Sequence, residues 1–318
     1  ESCRSTPTTR RRSELSPAGY ASLPLEMNEP ARERKGRKRR ALLALGASTI
    51  LSLAFAELFC RVRCGAPLRE RLPLLEVRAS RTRGYEMVPD RDHYTYEQPV
   101  HVNHLGLRGR DLPQKVAGEW RILCLGDSLT FGQGVSEEET IPALLERALS
   151  PGASAAGRTV RVVNGGLRGY ATAHELALLE ELLPTIQPDL VLLLWYVNDL
   201  ERPDMQRQCE SLLRSGPVAF DTGVRMEGWA LSSWRCKQVF RSSALLMKLH
   251  DLWTAKAVPA VTDQGIRSGL DFFDRDLENF LRLSREREFD FVMAQIPDSA
   301  ALLGSTPWDL IVQKTREH

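Results

Sequence analysis

A serine follows a short apolar run in the sequence Gly126-Asp127-Ser128-Leu129. The run, residues 121–126, is apolar after its first residue and ends in glycine, which is typical of a buried parallel strand. A hydroxyl at the end of such a strand is exposed at the edge of the sheet, where it acts as a nucleophile if a base takes its proton. We therefore treat Ser128 as a candidate nucleophile.

Two further strand ends carry groups that donate hydrogen bonds. A strand is predicted at 159–164, and the glycine-rich sequence that follows it includes Gly169, whose backbone N–H is one donor. The apolar strand predicted at 190–196 leads to Asn198, whose side-chain amide is a second donor. A nucleophile and two such donors are the groups that stabilise the oxyanion of a tetrahedral intermediate. The pattern predicts an acyl-transfer site.

Each of these motifs also has a purely structural interpretation. Asp127-Ser128 is a common N-cap pair, the glycines are common in turns, and Asn198-Asp199 is a common strand-end turn. The stretch 126–134 lacks the GxGxxG and GxxxxGK[ST] spacings of nucleotide-binding loops, and GxSxG is also absent. The sequence therefore predicts no cofactor, and no cysteine or carboxylate cluster beside its histidines predicts a metal site.

The elements that must position these groups alternate along the chain. Strands are predicted at 121–126, 159–164, 190–196 and 289–296, and helices at 137–149, 173–183 (closed by Pro184), 243–254 and 270–288. Strands separated by helices pair in parallel through right-handed crossovers. We expect a three-layer α/β/α, doubly wound parallel sheet that binds ligands at the carboxyl ends of its strands.

Positive charge is concentrated at the N-terminal end of the chain. Residues 1–40 carry a net charge of +6, whereas the whole chain carries +2. Residues 41–60 follow with a single charged side chain, Glu57, and are long enough to span a bilayer. Since positive charge stays in the cytoplasm, we expect a signal anchor with everything after Arg61 outside. Cleavage after Ala56 is the alternative.

The remaining segments complete the predicted organisation. Residues 1–40 are expected to be disordered, with Met27 as the candidate true start, and 61–120, which contain five prolines, are expected to form a linker and leader. The domain that holds the sheet then covers 121–318. The small net charge gives no reason to expect nucleic acid as a partner.

These motifs resemble those of the SGNH (GDSL-type) serine hydrolases. Residues 126–129, 164–169 and 198–199 match the first three blocks in order, and 103–109 are similar to a segment of membrane-anchored bacterial members. The resemblance covers roughly residues 102–296. It implies a Ser128 nucleophile and an oxyanion hole formed by the Ser128 N–H, the Gly169 N–H and the Asn198 amide. Two residues before Asn198, where the family usually has glycine, this chain has Tyr196.

The resemblance also implies a reaction and a location. The expected activity is hydrolysis of carboxylic esters in small molecules, lipids or O-acylated glycans, by a domain held in the periplasm by a single pass through the bacterial inner membrane. A non-catalytic SGNH-like protein that binds cell-envelope polysaccharide, or takes part in its acetylation, is the alternative. The sequence does not predict an oligomeric state.

The general base is the missing component. The family supplies it from an Asp-x-x-His block near the C-terminus, and 296–318 contain none, so we expect the chain to be truncated before that block and catalytically impaired. One such string, at 90–93, precedes the serine. His174 and His250 are expected to be surface or packing residues.

Cysteine usage adds a conditional prediction. Cys209 and Cys236 flank the segment between the third predicted strand and the helix at 243–254, and outside the cytoplasm a disulfide between them would hold this insert. Two free thiols are the alternative. Cys124 is expected to be a buried residue of the first strand.

Overall fold

The computed structural model describes residues 31–67, 69–200, 202–219, 234–254 and 263–296. The chain divides into two compact units, Glu1–Ala56 and Glu57–His318. Helix α1, Ala31–Cys64, contains the predicted anchor at 41–60 and begins ten residues before it. The basic residues at 32–40 are therefore helical, not disordered, because lysine and arginine favour helices. Gly36–Cys64 is long and apolar enough to cross a membrane.

The described elements alternate as the sequence predicts. Their bounds are β1 Glu76–Ser80, β2 Gly84–Met87, β3 Arg91–Thr95, β4 Gln98–Val102, β5 Glu119–Gly126, α2 Ser128–Phe131, α3 Ile141–Ala155, β6 Thr159–Gly166, α4 Thr172–Ile186, β7 Leu190–Trp195, α5 Met205–Ser215, β8 Val218–Ala219, α6 Trp234–Arg241, α7 Ala244–Thr254, α8 Asp263–Arg287 and β9 Asp290–Gln295. Short 3₁₀ turns lie at Glu137–Glu139 and Val197–Leu200.

A four-stranded parallel sheet is the frame of the second unit, with the strand order β6-β5-β7-β9. Right-handed crossovers place α3 on one face and α4 and α8 on the other, where these two helices contact each other. Apolar side chains of β5 and β7 are fully buried between the layers, among them Leu123, Leu125 and Leu193. The predicted α/β fold is confirmed.

Three of the predicted helices have boundaries that differ from the observed ones by more than one residue. Pro184 lies inside α4, which continues to Ile186. The helix predicted at 137–149 is divided at Thr140, whose hydroxyl accepts a hydrogen bond from the N–H of Ala143 and so caps α3. Helix α8 begins at Asp263, earlier than predicted.

The prediction of a linker at 61–120 is wrong. Strands β1 and β2 form an antiparallel pair that β8 extends, and β3 pairs with β4 in a second hairpin. Val77, Met87, Val100 and Val102 are buried in the main hydrophobic core. These strands are only four or five residues long, so their apolar alternation is too brief to stand out among the prolines.

The cysteines of the insert are not cross-linked. Cys209 is buried in α5, Cys236 lies in α6, and no disulfide joins them, so the conditional prediction of a bridge is not realised in this structure. Cys124 is fully buried within β5, as expected.

Candidate active site

Ser128 is the first residue of the one-turn helix α2, two residues beyond the end of β5. The Asp127 carboxylate accepts a hydrogen bond from the N–H of Leu129 at 2.8 Å, so the N-cap interpretation of this pair is correct as far as it goes. Gly126 has a φ of +155°, and a Cβ there would lie 2.0 Å from the hydroxyl oxygen of Thr130. The chain therefore needs glycine to turn sharply out of the sheet and present a half-buried serine.

Arg108 holds the far end of this turn, which covers residues 127–135 and is called the serine turn below. Its guanidinium donates hydrogen bonds to the carbonyl oxygens of Phe131 at 2.9 Å, Gly132 at 2.7 Å and Val135 at 2.8 Å. Burial lowers the pKa of Arg108 to about 10, so it remains a cation at neutral pH. Sequence reasoning noted the segment 103–109 only as a resemblance and missed this function of Arg108, which no local pattern reveals.

Asn103 shapes the loop that delivers Arg108. Its side-chain oxygen accepts hydrogen bonds from the N–H groups of Leu105 at 3.0 Å and Leu107 at 3.1 Å, while its amide donates to the carbonyl of Arg110 at 3.1 Å. The side chains of Asn103 and Arg108 are both buried. The segment is thus a folded support for the serine turn.

The end of β6, which contains Asn164 and Gly166, packs directly against the serine turn. The Asn164 amide donates to the Phe131 carbonyl at 3.3 Å, and its oxygen accepts from the N–H of Gly166 at 3.0 Å. A Cβ on Gly166 would lie 2.3 Å from the Phe131 nitrogen. The backbones of β6 and α2 can approach this closely only because residue 166 has no side chain.

Gly169 lies in a loop held by two tyrosines. The Tyr85 hydroxyl donates to the carbonyl of Arg168 at 2.9 Å, and the Tyr170 hydroxyl donates to the carbonyl of Tyr85 at 2.8 Å. Gly169 is exposed and has a φ of +77°, in the left-handed region that glycine enters freely. Within the described part of the chain, the N–H groups of Ser128 and Gly169 donate to no other protein group.

Asn198 lies in the 3₁₀ turn Val197–Leu200 that follows β7, called the Asn198 turn below. Asp199 anchors this turn, since its Oδ2 accepts from the N–H of Tyr196 at 2.7 Å. Its main-chain carbonyl also accepts from the Thr172 hydroxyl at 3.3 Å. Asp199 is therefore a structural residue that sequence reasoning named only as the neighbour of Asn198.

The sheet register brings the three predicted site segments to one edge. Gly126 of β5 is paired with Gly166 of β6 on one side and with Leu194 of β7 on the other. Because these strands are parallel and adjacent, the chain leaves the sheet toward Ser128, Gly169 and Asn198 at the same end. The central strand leads to the serine, and its two neighbours lead to the segments that contain the predicted donors.

His174 and His101 contact groups other than Ser128. His174 is buried in α4, where Nδ1 accepts from the Ala171 N–H at 3.1 Å, Nε2 faces the Gln208 amide oxygen at 3.0 Å, and burial lowers its pKa. It is a packing residue, as predicted. His101 pairs with Asp92 at 2.7 Å.

The upstream Asp-x-x-His string lies in the first hairpin that follows β2. His93 is buried in β3, burial lowers its pKa, and the carboxylates that act on it are Glu76 and Asp92. Neither is part of the serine turn. His318 lies outside the described residues. Within the described part, no cluster of three or more His, Cys, Asp or Glu side chains forms a metal site.

The chain is also similar to known proteins. A sequence model of the GDSL-like Lipase/Acylhydrolase family matches residues 124–287, about half of the chain. An arylesterase of Vibrio mimicus is 40% identical over 79 residues, which are 25% of this chain and 38% of the arylesterase. The match thus spans well under half of that relative's length.

Solved structures of two esterases are also similar. AlinE4, an SGNH-hydrolase family esterase, is 22% identical, with 62% of this chain and 84% of that chain covered and a TM-score of 0.27. The psychrotrophic esterase EstA from Pseudoalteromonas sp. is 16% identical, with 62% and 97% covered and a TM-score of 0.27. On the strength of the family match, which contains Ser128, Gly169 and Asn198, the chain belongs to the GDSL-like lipase/acylhydrolase family.

Proposed function

We propose that the protein hydrolyses carboxylic esters through an acyl-enzyme on Ser128. The observation that carries this proposal is the arrangement of three adjacent strand ends, with the serine turn in the centre. Membership of an acylhydrolase family and local similarity to an arylesterase support the same reaction class.

The proposed reaction follows the usual course of serine esterases. The Ser128 hydroxyl oxygen attacks the ester carbonyl carbon while a general base accepts its proton. The N–H groups of Ser128 and Gly169 and the amide of Asn198 donate to the oxyanion of the tetrahedral intermediate. Its collapse breaks the C–O bond, and the base returns the proton to the leaving oxygen, which departs as the alcohol. Water then attacks the acyl-enzyme, which releases the carboxylic acid and restores Ser128.

We infer a preference for compact acyl groups. Tyr196 directly precedes the Asn198 turn and stands where the family usually has glycine, so we expect its larger side chain to narrow that side of the site. Among small esters, lipids and O-acylated glycans, this favours substrates with short acyl chains. A series of p-nitrophenyl esters of increasing chain length tests the preference, with kcat/KM expected to fall with length and to fall less in Tyr196→Gly.

Labelling with a fluorophosphonate probe tests the nucleophile. In the full-length native protein we expect stoichiometric labelling that Ser128→Ala abolishes. Ser215→Ala is the matched control, because Ser215 is an exposed serine at the end of α5 whose hydroxyl contacts only backbone carbonyls. Labelling that survives Ser128→Ala contradicts the proposal, and a folded wild-type protein that never reacts favours the non-catalytic alternative.

We also propose that α1 holds the domain at the bacterial inner membrane, with the N-terminus in the cytoplasm and the residues after Arg61 in the periplasm. The length and apolar composition of Gly36–Cys64 support this proposal. Protease added to spheroplasts is expected to digest the domain, and alkaline extraction is expected to leave it in the membrane fraction. A mature N-terminus at Glu57 would show cleavage after Ala56 instead.

A further inference from the structure

Buried oxygen atoms without a hydrogen-bond partner occur on the elements that carry the candidate site. Both carboxylate oxygens of Glu175 and the Oδ1 atom of Asp199 are fully enclosed and have no partner among the described residues. Glu175 has no exposed surface at all, and Asp199 is 3% exposed. An unpaired carboxylate oxygen in the interior is costly, so these three atoms require an explanation.

The packing of α4 against the Asn198 turn places Glu175 and Asp199 in the same region. The Thr172 hydroxyl bonds to the Asp199 carbonyl, so the first turn of α4 lies against the Asn198 turn. Glu175 is three residues beyond Thr172 and shares its helix face. Helix α8 closes the same region, since a Cβ on Gly269 would lie 2.7 Å from the Leu200 carbonyl oxygen.

The charged groups that act on Glu175 are all carboxylates. They come from three elements: Asp199 in the Asn198 turn, Asp127 at the start of α2 and Asp276 in α8. Burial, and then these three charges, raise the pKa of Glu175 well above its ordinary value. Burial likewise raises the pKa of Asp199, with Asp127 adding to the shift.

The cations in this region act on a different carboxylate. Arg202 and Arg275 lower the pKa of Asp276, although burial raises it by more. Neither arginine is among the charges that act on Glu175. Two ionised carboxylates enclosed together without a cation repel each other strongly, and removing one charge with a proton is the usual solution.

We propose that Glu175 and Asp199 share one proton, and that Glu175 is thereby a positioning residue for the Asn198 turn. The proton joins a Glu175 oxygen to Asp199 Oδ1, either directly or through one enclosed water, while Asp199 Oδ2 continues to accept from the Tyr196 N–H. It is taken from solution when the chain folds. The link ties α4 to the turn that carries an oxyanion donor, and this functional part rests on the proposed ester hydrolysis.

Infrared difference spectroscopy of the intact protein tests the shared proton directly. At pH 7 the wild-type spectrum is expected to contain the carbonyl stretch of a protonated carboxylic acid, which Glu175→Gln removes. Glu180→Gln is the matched control, because Glu180 is an exposed residue of the same helix. If the wild-type and Glu175→Gln spectra do not differ in this band, the proposal is wrong.

The pH dependence of unfolding is the second test. Glu175 holds its proton in the folded state and releases it on unfolding above about pH 4.3, so its contribution to stability is present at low pH and lost as pH rises toward the folded pKa. Relative to Glu175→Gln, the unfolding equilibrium constant of wild type is expected to increase by up to about tenfold per pH unit from pH 5 upward. Glu180→Gln should follow wild type, and a constant ratio between wild type and Glu175→Gln would overturn the proposal.

Kinetics of ester hydrolysis by the full-length protein test the positioning function. Glu175→Gln keeps a donor for Asp199 and is expected to retain most of the wild-type kcat. The kcat of wild type is expected to fall at alkaline pH, and that of Glu175→Gln is not. Glu175→Leu has no donor and should lower kcat by at least about tenfold while KM changes little. Wild-type turnover by Glu175→Leu refutes positioning. If Glu175→Leu does not fold, the pH profile of kcat for Glu175→Gln decides the question. If the fluorophosphonate does not label Ser128 in the wild-type protein, the proposed function is wrong instead.

Discussion

The serine turn and the Asn198 turn leave neighbouring strands, yet the protein holds them by different means. Arg108 and Asn164 reach the serine turn from separate segments and donate hydrogen bonds to its carbonyl groups. The Asn198 turn instead contains an enclosed carboxylate, Asp199, which uses only one of its oxygens in a hydrogen bond.

The difference separates two ways of preparing a catalytic geometry. A nucleophile must hold one position, and a permanent cation with three carbonyl partners provides that over a wide range of pH. If Glu175 and Asp199 share a proton as proposed, the position of the Asn198 turn depends on their protonation state and therefore on pH. Substitutions that remove hydrogen bonds or space should therefore act mainly on the serine side, and changes of pH mainly on the Asn198 side.

Replacing Arg108 should have the largest effect. Arg108→Ala leaves the carbonyls of Phe131, Gly132 and Val135 without their donor in a buried position, and we expect a loss of roughly 3–5 kcal/mol in the free energy of unfolding. Urea unfolding followed by tryptophan fluorescence measures this. Arg110→Ala is the control, since Arg110 is exposed and only its backbone carbonyl supports the loop. Equal effects of the two substitutions would disprove the bracing function.

Filling the space between β6 and α2 should have the next largest effect. Gly166→Ala places a methyl group 2.3 Å from the Phe131 nitrogen, which forces the serine turn away from the sheet and should cost about 1–3 kcal/mol of stability. Ser128 should then react more slowly with the fluorophosphonate. Gly152→Ala, in a helix with open space around it, is expected to be neutral or slightly stabilising. Unchanged labelling of Gly166→Ala would show that the close approach is unnecessary.

The parallel sheet could be predicted from the sequence because its strands are apolar on both faces. Residues 121–126 and 190–196 each read as a nearly continuous apolar run, and both predicted strands agree with β5 and β7 to within two residues. The hairpins of 61–120 could not be predicted in the same way, since each strand offers only two or three buried residues and prolines interrupt the pattern.

The supports of the site could not be predicted from local sequence. Arg108 lies 20 residues before Ser128, in a polar segment where an exposed arginine would look the same. Glu175 stands in a predicted helix, where glutamate is usually a surface residue. Only the packing of α4 and α8 against the Asn198 turn makes it a buried acid. The proposed nucleophile and donors could be predicted because family motifs mark them, whereas the residues that hold them are identified by three-dimensional contacts.

A smaller effect is expected from the tyrosine that holds the Gly169 loop. Tyr85→Phe removes the hydrogen bond to the Arg168 carbonyl, for a loss of about 1 kcal/mol in the free energy of unfolding. Because the aromatic packing against Tyr170 remains, the fold should persist while the Gly169 N–H becomes less well fixed. The measurement is kcat for a short-chain ester, expected to fall while KM changes little. An unaltered kcat would mean that backbone geometry alone holds this donor.

The smallest effect should come from the hydrogen bond that links α4 to the Asn198 turn. Thr172→Val keeps the volume of a buried side chain and removes only a bond of 3.3 Å to the Asp199 carbonyl, so the expected cost is about 0.5 kcal/mol in urea unfolding. If carboxylates and a proton hold this turn, losing one neutral bond should leave it in place. A cost near that of Arg108→Ala would show instead that both turns depend on donated hydrogen bonds, and the contrast between them would disappear.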